Sequence, residues 1–314
     1  MDPLVGLLDG PRARDAFTLR SVMSPPWGLR VLAESPLTLI AMSAGNAWIV
    51  PDDGEPVRLD TGDVAITHGP HHYNVADDPG TSPDIIIHPG QQCYSVSGQA
   101  LEEPLSHGVR TWGNDPNGST VMLVGAYESM SEISDRLLSA LPPVLSLRER
   151  EWHSPLIPLL NEEIAKEHPG QASVLDRLLD LLLVAVLRAW FDRPEAEPPA
   201  WYRAQGDPVV GKSLRMMQAN PAHRWTLESL AAEVGVSRAA LARRFRDLVG
   251  EPPITYLTEW RLALAADLLR EPDATVGSVA HQVGYSSPFA LSTAFKRVRG
   301  MSPAEHRDQA LALA

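Results

Sequence analysis

Four arginines lie within nine residues of the C-terminal part of the chain, at Arg238, Arg243, Arg244 and Arg246. A guanidinium group stays charged at physiological pH and can donate two hydrogen bonds to guanine or to a phosphate. One such arginine is often only part of a solvated surface. Four together are harder to explain in this way, because the chain as a whole is acidic, with a net charge of −12. The cluster therefore indicates a surface that binds nucleic acid.

The charge is distributed unevenly along the chain. Residues 206–314 contain 13 Lys and Arg against 11 Asp and Glu, which gives this part a charge of +2. Residues 1–205 contain 14 basic and 28 acidic residues, a charge of −14. An acidic N-terminal part repels DNA, whereas a nearly neutral C-terminal part can present a local basic face. The asymmetry, with a length of 314 residues, predicts about two domains that have different partners.

The arginines lie within the first copy of a repeated sequence. TLESLAAEVGVSRAALARRF occupies residues 226–245, and TVGSVAHQVGYSSPFALSTAF occupies residues 275–295. Corresponding residues are 49 apart in the first half of the repeat and 50 apart in the second half. The repeat predicts two equivalent structural units, with the extra residue in the turn of the second unit.

Each copy predicts two helices joined by a tight turn. In the first copy, Thr226 can cap the first helix, Gly235 suits the left-handed backbone that follows it, and Ser237 can cap the second helix. The equivalent residues of the second copy are Thr275, Gly284 and Ser287. The residues of the second helices that helical spacing directs to the core are Leu241, Phe245, Leu291 and Phe295. The residues between them are left facing outward.

This tandem arrangement resembles the DNA-binding domain of the AraC/XylS family of bacterial transcription regulators, in which a long helix joins two helix-turn-helix units. Here the joining helix is ITYLTEWRLALAADLLRE (254–271), and FKRVRGMSPAEHR (295–307) resembles the end of the family's domain. The resemblance implies that the second helix of each unit enters a major groove, so that the domain reads two successive grooves on one face of double-stranded DNA.

The resemblance also implies which residues contact DNA. Base-reading positions fall at Arg238, Ala239, Ala242, Arg243, Pro288, Phe289, Ser292 and Thr293. Phosphate-binding positions fall at Ser237, Arg244, Arg246, Ser287, Lys296, Arg297 and Arg299. The two reading helices differ in character, because arginines can hydrogen-bond to guanine, whereas proline and phenylalanine offer only apolar contact, for instance to thymine methyl groups. We expect the first reading helix to supply most of the hydrogen-bonded specificity.

The N-terminal part alternates short β-rich runs with turn-rich stretches, which predicts an antiparallel sandwich or a small barrel. The predicted strands are 29–33, 37–42, 47–50, 63–67, 84–88 and 121–127. Helical patterns follow at 130–141, 154–168 and 171–191. The last of these has an apolar stripe that either packs within the protomer or forms a dimer contact.

The fold class expected is therefore α+β, with a β-barrel or sandwich followed by helices and then an all-α domain with two helix-turn-helix units. The expected divisions are a sensor domain at 1–128, a helical segment that is a candidate for dimerisation at 129–192, a linker at 193–208 and the DNA-binding domain at 209–314.

The strand-rich part resembles the cupin-type sensor domains of this regulator family. RLDTGDVAITHGPHHYNV (58–75) carries the resemblance, and LLSALPPVLSLR (137–148) resembles the segment that follows such domains. The resemblance implies a pocket for a small-molecule effector. The candidate lining residues are Trp27, Trp48, His71, His72 and Tyr73. The alternative for the tryptophans is a purely structural place in the core.

A metal-dependent cupin enzyme with an appended DNA-binding domain is the competing hypothesis. The ligands available to it are His68, His71, His72, His88, His107, Asp84 and Glu102. A catalytic cupin usually has an HxH pair on an earlier strand pair, and residues 37–59 contain no histidine. His71 and His72 would also point to opposite faces of a strand. We therefore expect no metal, no cofactor and no enzymatic activity, with loop or effector-contacting roles for these histidines.

Cys93 is the only cysteine, so an intramolecular disulfide and a multi-cysteine zinc site are excluded. It is either a redox sensor or an unreactive small residue. No run of about 18 apolar residues occurs, and the N-terminus lacks the pattern of a signal peptide, so we expect a cytoplasmic protein with no membrane contact. The full expectation is an effector-responsive homodimeric regulator that acts with RNA polymerase. The family resemblance favours activation, and repression or both remain open.

Overall fold

The computed structural model describes residues 16–127, 138, 141–193, 196, 198–271 and 273–312, without the side chains of 310–312. These residues fall into two compact units. The sandwich unit comprises described residues up to 127 together with those from 141 to 196, and the helical unit comprises position 138 and those from 198 onward. The helix predicted over 130–141 lies, apart from positions 138 and 141, outside the described residues.

The sandwich unit is built from two six-stranded sheets. Its first six strands are β1 (Phe17–Met23), β2 (Gly28–Val31), β3 (Leu37–Ala44), β4 (Asn46–Pro51), β5 (Val57–Asp60) and β6 (Val64–His68). The other six are β7 (Tyr73–Ala76), β8 (Ile85–His88), β9 (Gln92–Ser95), β10 (Thr111–Trp112), β11 (Thr120–Tyr127) and β12 (Val144–Leu147). The strand orders are β10-β1-β11-β3-β6-β12 and β5-β4-β7-β2-β8-β9, so each sheet has two free ends. Of the two architectures predicted, the open sandwich is the one formed.

The six strands predicted from the sequence are confirmed, within a few residues, as β2, β3, β4, β6, β8 and β11. The other six are short or lie in segments of mixed polarity. Strand β12 falls within the stretch where the sequence pattern had turned helical, and it pairs with β6 through Leu145 opposite Ile66. The segment after the sheets is therefore not purely helical.

Asp63 connects the turn before β6 to the chain that follows β12. Its carboxylate is buried, and it accepts hydrogen bonds from Arg148 Nη1 and from the Glu149 backbone N–H, both at 2.8 Å. It also accepts the backbone N–H of Asp60 at 2.9 Å. A buried carboxylate is stable when both of its oxygens accept hydrogen bonds in this way. This contact fixes the start of the helices on the sandwich.

Three helices follow in this unit, namely α1 (Glu149–Trp152), α2 (Leu156–Ile164) and α3 (Gln171–Phe191). The apolar stripe predicted on α3 is buried within the protomer at all seven of its positions. These residues are Leu175, Leu178, Leu179, Leu182, Leu183, Val186 and Leu187. On β11, a Cβ added to Gly125 would lie 2.3 Å from a methyl carbon of Leu179, so the helix packs closely against the strand at this glycine. The stripe thus serves packing within the protomer, and does not itself face a partner.

The helical unit contains eight helices among its described residues. They are α4 (Ala200–Arg203), α5 (Val210–Ala219), α6 (Leu227–Glu233), α7 (Arg238–Val249), α8 (Pro253–Leu268), α9 (Val276–Gln282), α10 (Pro288–Arg299) and α11 (Pro303–Ala312). The short helix α4 forms within the stretch that the sequence suggested as a linker. Helices α6 and α7 form the first helix-turn-helix unit, and α9 and α10 form the second.

Helix α8 joins the two helix-turn-helix units and is buried against both. Tyr256 packs edge-on against Phe245 of α7, with ring centroids 5.9 Å apart. Leu262 and Ala266 of α8 belong to a buried cluster with Phe295 of α10. A helix that is apolar on several sides is expected at the centre of a domain. Helix α8 therefore ties both units into one core.

None of the helices in the described parts of the chain has the length and apolar character needed to cross a membrane.

Candidate nucleic-acid interface

The two units begin their helices with the caps that the sequence predicts. Thr226 Oγ1 accepts the backbone N–H of Ser229 at 3.0 Å, and Thr275 Oγ1 accepts that of Ser278 at the same distance. The side-chain hydroxyls of Ser229 and Ser278 return hydrogen bonds to the threonines. These reciprocal contacts satisfy backbone groups that the first turn of a helix leaves unpaired. The start of each unit is thus set by local residues.

The reading helices α7 and α10 are positioned by a left-handed glycine and a serine cap. Gly235 and Gly284 have φ values of +73° and +89°. Ser237 Oγ accepts the backbone N–H of Ala240 at 3.2 Å, and Ser287 Oγ accepts that of Ala290 at the same distance. The helix N-terminus carries a partial positive charge, so these capped ends suit a nearby phosphate.

One face of each reading helix is anchored and the opposite face is open. Leu241 and Phe245 of α7 are completely buried, as are Leu291 and Phe295 of α10. On the open face, the residues identified as base-reading are exposed, apart from Ala242 and Ser292, which are half-buried. Buried residues spaced four apart hold one side of a helix against the core. The remaining side is therefore available to a groove.

The open faces of α7 and α10 differ in chemistry, as the sequence indicates. Helix α7 presents the guanidinium groups of Arg238 and Arg243 to solvent. Helix α10 presents Phe289, whose side chain is 81% exposed. Thr293 Oγ1 donates a hydrogen bond to the backbone carbonyl of Phe289 at 2.9 Å, so this hydroxyl is engaged within its own helix. Helix α10 thus offers an apolar group where α7 offers guanidinium groups.

Arg244 is held in an ion pair that the sequence did not reveal. Its Nη2 lies 2.6 Å from Asp207 Oδ2, and its Nε donates to the same carboxylate at 3.0 Å. Asp207 Oδ1 also accepts the backbone N–H groups of Val209 and Val210 at the start of α5. Burial acts to raise the pKa of Asp207, but hydrogen bonds from Arg244 and these backbone groups outweigh it and lower the pKa. Arg244 thus joins α7 to α5.

The other charged phosphate candidates lie in the last turns of the reading helices. Arg246, Lys296 and Arg297 are exposed, and Arg299 is half-buried. Lys296, Arg297 and Arg299 lie in the last turn of α10, where positive charge also stabilises the helix C-terminus. These residues therefore have a favourable structural role that is independent of any bound DNA.

The sandwich unit encloses a cavity between its two sheets, and it brings together only some of the predicted effector residues. Tyr73 and Cys93 are among the residues that line this cavity. Trp27 is not among them and is 1% exposed in the core, which matches the structural alternative. Trp48 lies outside the lining, with the Arg58 guanidinium 6.0 Å from its ring centre.

His71 and His72 also lie outside the cavity lining. They belong to the loop between β6 and β7, where His71 is exposed and His72 Nε2 lies 3.4 Å from Glu34 Oε1. His68 contacts the backbone carbonyls of residues 141 and 142 through Nε2. His107 Nε2 lies 2.8 Å from the Gly113 carbonyl. Among the residues that the structure describes, no three His, Cys, Asp or Glu side chains are grouped as a metal site would require.

Cys93 is a buried thiol in the cavity wall. Burial, with a smaller contribution from the negative charge of Glu102, raises its pKa to about 11. The thiolate is the reactive form of cysteine, so a raised pKa lowers the reactivity of the side chain at neutral pH. Of the two interpretations of this residue, the geometry favours the unreactive one.

The sequence misses half of the strands that build the cavity wall, namely β1, β7, β9 and β10. Phe17, Leu19 and Ser21 alternate along β1 and all face the cavity, together with Trp112 of β10. Neither strand was predicted. The period-two alternation of FTLRS (17–21) is the signal that could have found β1. No local sequence pattern indicates that Asp207 pairs with Arg244, because the two residues are 37 positions apart in the chain.

Comparison with known proteins identifies both units. Residues 2–192 match a family model described as Cupin, and residues 230–309 match one described as Helix-turn-helix domain. The chain is 32% identical over 313 residues to a putative AraC-like transcription regulator of Streptomyces lividans, covering 98% of each chain. It is 31% identical to a similarly described protein of Streptomyces antibioticus, again covering 98% of each. The chain belongs to the AraC family of transcription regulators.

The solved DNA-binding domain of AdpA, described as a global transcriptional factor and bound to a target DNA, is similar to the C-terminal part. It is 34% identical, covers 33% of this chain and 94% of that chain, and has a TM-score of 0.32. As an AraC-family member, this protein is a DNA-binding transcription regulator with a cupin-type N-terminal domain. The relatives are regulators, which agrees with the expectation of a non-enzyme.

Proposed function

We propose that this regulator binds specific DNA sequences by placing α7 and α10 in two successive major grooves of one DNA face. The observation that carries the proposal is the matched geometry of the two helices. Each is capped by a serine, anchored by a buried leucine and phenylalanine, and open on the side that bears the candidate base-reading residues. Tandem helix-turn-helix units joined through a shared helix suit adjacent grooves.

The two helices are proposed to read DNA in different ways. Arg238 and Arg243 are exposed on α7, and they can each donate two hydrogen bonds to guanine O6 and N7. Ala239 and Ala242 leave space for close approach of the helix. On α10, Pro288 and Phe289 offer apolar contact to thymine methyl groups, while Ser292 and Thr293 lie one turn further along. Helix α7 would therefore supply most of the base discrimination through hydrogen bonds.

Phosphate contacts are proposed for the cations around these helices and for the two capped N-termini. Arg246, Lys296, Arg297 and Arg299 supply the charge, and Ser237 and Ser287 mark the helix N-termini. Arg244 is proposed to contribute differently from the others. Its bidentate pair with Asp207 fixes the position of α7 relative to α5, and part of its charge is neutralised there. Its main effect would then be on the placement of Arg243.

The N-terminal unit is proposed to sense a small-molecule effector and to alter promoter binding in response. The cavity between the sheets supports this, since it is lined by side chains of both sheets and its wall is almost entirely apolar, as in most small-molecule sites. An effector changes DNA binding only if it prefers one conformation of the protein. We propose that the protein activates transcription through contact with RNA polymerase. We further propose that it acts in the cytoplasm.

A homodimer is the proposed functional state. Because the apolar stripe of α3 is buried in the protomer, we propose that the outer face of the same helix forms the dimer contact. Val174 and Leu181, seven residues apart and therefore on one side of the helix, are 45% and 54% exposed. Sedimentation of the full-length protein tests this state, and Leu181→Glu should shift it toward the monomer. Unchanged association by this variant would exclude this face.

Binding-site selection with the full-length protein tests the DNA-binding proposal. Arg243→Ala should weaken binding to the selected sequence by about 1–3 kcal/mol and relax the preference at one base pair. Lys296→Ala should instead lower affinity for all sequences and reduce the dependence of binding on salt. Arg177→Ala is the matched control, because it removes an equal charge from a side chain that is 64% exposed in the sandwich unit.

The two substitutions make the assignment refutable. If Arg243→Ala left the selected sequence logo unchanged, Arg243 would be removed from the base-reading set. If the full-length protein bound no sequence more tightly than random DNA at physiological salt, the proposal as a whole would fail.

A further inference from the structure

We propose that the cavity between the two sheets binds a neutral, predominantly apolar small molecule that forms one hydrogen bond, to the hydroxyl group of Ser21. This inference rests on the proposed effector response and names the chemical class of the effector. It follows from the identity of the lining residues, from the hydrogen bonds that they already make, and from one buried polar atom without a partner.

The cavity wall is formed by side chains that alternate along strands of both sheets. The first sheet contributes residues of β1, β3, β10 and β11, and the second contributes residues of β2, β7, β8 and β9. Most of them are aliphatic or aromatic, for example Leu19, Ile40 and Val124. None of the described residues that line the cavity is Asp, Glu, Lys, Arg or His. A charged group brought into such a site would lose its hydration without gaining a partner, so a neutral ligand is favoured.

The polar groups of the wall are almost all engaged with protein partners. The Tyr73 hydroxyl accepts a hydrogen bond from Thr67 Oγ1 at 3.1 Å and also interacts with Thr38. Gln91 Nε2 donates to Ser35 Oγ at 3.1 Å. Groups that are already paired gain little from a ligand, because a new hydrogen bond would replace an existing one. A sugar or another polyol would therefore leave most of its hydroxyl groups unsatisfied in this cavity.

Two further polar atoms of the wall are paired as well. The Cys93 thiol donates to the Gln91 carbonyl, with 3.6 Å between the heavy atoms. Trp112 Nε1 donates to the Leu101 carbonyl at 3.4 Å. Neither group is therefore available to select a ligand. Only one lining residue therefore carries a buried polar side-chain atom that has no partner in the described part of the chain.

Ser21 is that residue. It is 2% exposed, it lines the cavity, and its Oγ has no hydrogen-bond partner among the described residues. A buried hydroxyl group without a partner is unfavourable, and a ligand that pairs with it removes this cost. A hydroxyl can both donate and accept, so an alcohol or a carbonyl group fits equally. The ligand class is thus a mainly hydrocarbon molecule with one such group.

Competition with a neutral fluorescent probe tests this class on the full-length protein. N-phenyl-1-naphthylamine is the reporter, and 1-octanol, octanoate and xylose are the competitors. We expect 1-octanol to displace the reporter, octanoate to compete at least about tenfold more weakly because of its charge, and xylose not to compete. Equal competition by octanoate, or competition by xylose alone, would overturn the proposed class.

Variants locate the binding to this cavity. Val124→Phe places a larger side chain in the wall and should abolish displaceable binding, whereas Val96→Phe, at a position that is 66% exposed, should leave it unchanged. Ser21→Ala tests the hydrogen bond without a change of shape. It should weaken the binding of 1-octanol by about 2- to 10-fold. The binding of toluene, which has no hydrogen-bonding group, should be unaffected. Equal effects of Ser21→Ala on both molecules would refute the role of Ser21.

DNA binding, measured in parallel by mobility shift, separates this inference from the proposed function. If 1-octanol fails to displace the reporter while specific DNA binding is intact, the ligand class is wrong and the DNA-binding proposal stands. If 1-octanol binds in a Ser21-dependent manner but no specific DNA complex forms, the ligand class stands and the proposed function fails.

Discussion

Gly235 and Gly284 hold equivalent positions in the two helix-turn-helix units, and alanine at each should have a different cost. Both have left-handed backbones, with φ values of +73° and +89°. A Cβ at Gly235 would meet nothing within 4 Å. A Cβ at Gly284 would lie 2.8 Å from Ala222 Cα and 2.9 Å from the Pro221 carbonyl oxygen. Backbone atoms cannot move aside as a flexible side chain can.

The magnitudes follow from these two environments. A left-handed backbone costs an L-residue about 1–2 kcal/mol, and alanine recovers roughly 0.4–1 kcal/mol by restricting the unfolded chain. Gly235→Ala should therefore destabilise its unit by about 1 kcal/mol. At Gly284, steric overlap adds about 1–3 kcal/mol, as overpacking does elsewhere. The overlap also disturbs the Arg261 guanidinium, whose Nε donates to the Pro221 carbonyl at 2.7 Å. The expected total for Gly284→Ala is about 2–4 kcal/mol.

Hydrogen–deuterium exchange of the full-length protein resolves the two units separately. Since each 1.4 kcal/mol is a factor of ten, Gly235→Ala should accelerate exchange in α6 and α7 about fivefold. Gly284→Ala should accelerate exchange in α9 and α10 by roughly 30- to 1,000-fold, because its cost is two to four times larger. The two variants serve as controls for each other. Equal effects of both variants would refute the argument, as would wild-type exchange of α9 and α10 in Gly284→Ala.

Two further predictions concern titratable groups. Because the pKa of Cys93 is about 11, roughly one thiol in a thousand is ionised at pH 8. Iodoacetamide should therefore alkylate Cys93 in the native protein at least about 100-fold more slowly than in the urea-unfolded protein. Similar alkylation rates, measured by mass spectrometry, would contradict this. The lowered pKa of Asp207 contributes stability that is present above its unfolded value of 3.8 and lost as the pH falls through the lowered value. In thermal unfolding, Asp207→Asn should therefore lower the stability at neutral pH and reduce the loss of stability between about pH 5 and pH 3. A pH dependence of stability equal to that of the wild type would disprove the contribution of the pair with Arg244.

The part of this protein that the sequence predicts best is the part governed by local interactions. A cap such as Thr226 bonds to a backbone N–H only three residues away, and Gly235 ends its helix by its own backbone conformation. The spacing of Leu241 and Phe245 determines which side of α7 is buried. These signals are contained within a few residues. Both helix-turn-helix units, and the side of each reading helix that faces outward, could therefore be identified from the sequence.

The strands were harder to predict, because a short strand is stabilised by partners that lie far along the chain. β12 forms in a segment of helical appearance because Leu145 and Leu147 pair with β6, nearly 80 residues earlier. The cavity depends on eight such strands at once, so its wall could not be assembled from the sequence. Trp48, His71 and His72 have suitable chemistry for an effector site, but the topology places them elsewhere.

The sequence by itself thus determined the family, the tandem repeat and the residues presented by each reading helix. Only the tertiary structure decided that Arg244 is paired with Asp207, that the apolar stripe of α3 is covered within the protomer, and that Ser21 faces a cavity. The physical reason is the range of the interactions. Helix caps and periodicity act over one or two turns, whereas ion pairs, sheet pairing and cavities join residues whose proximity exists only after folding.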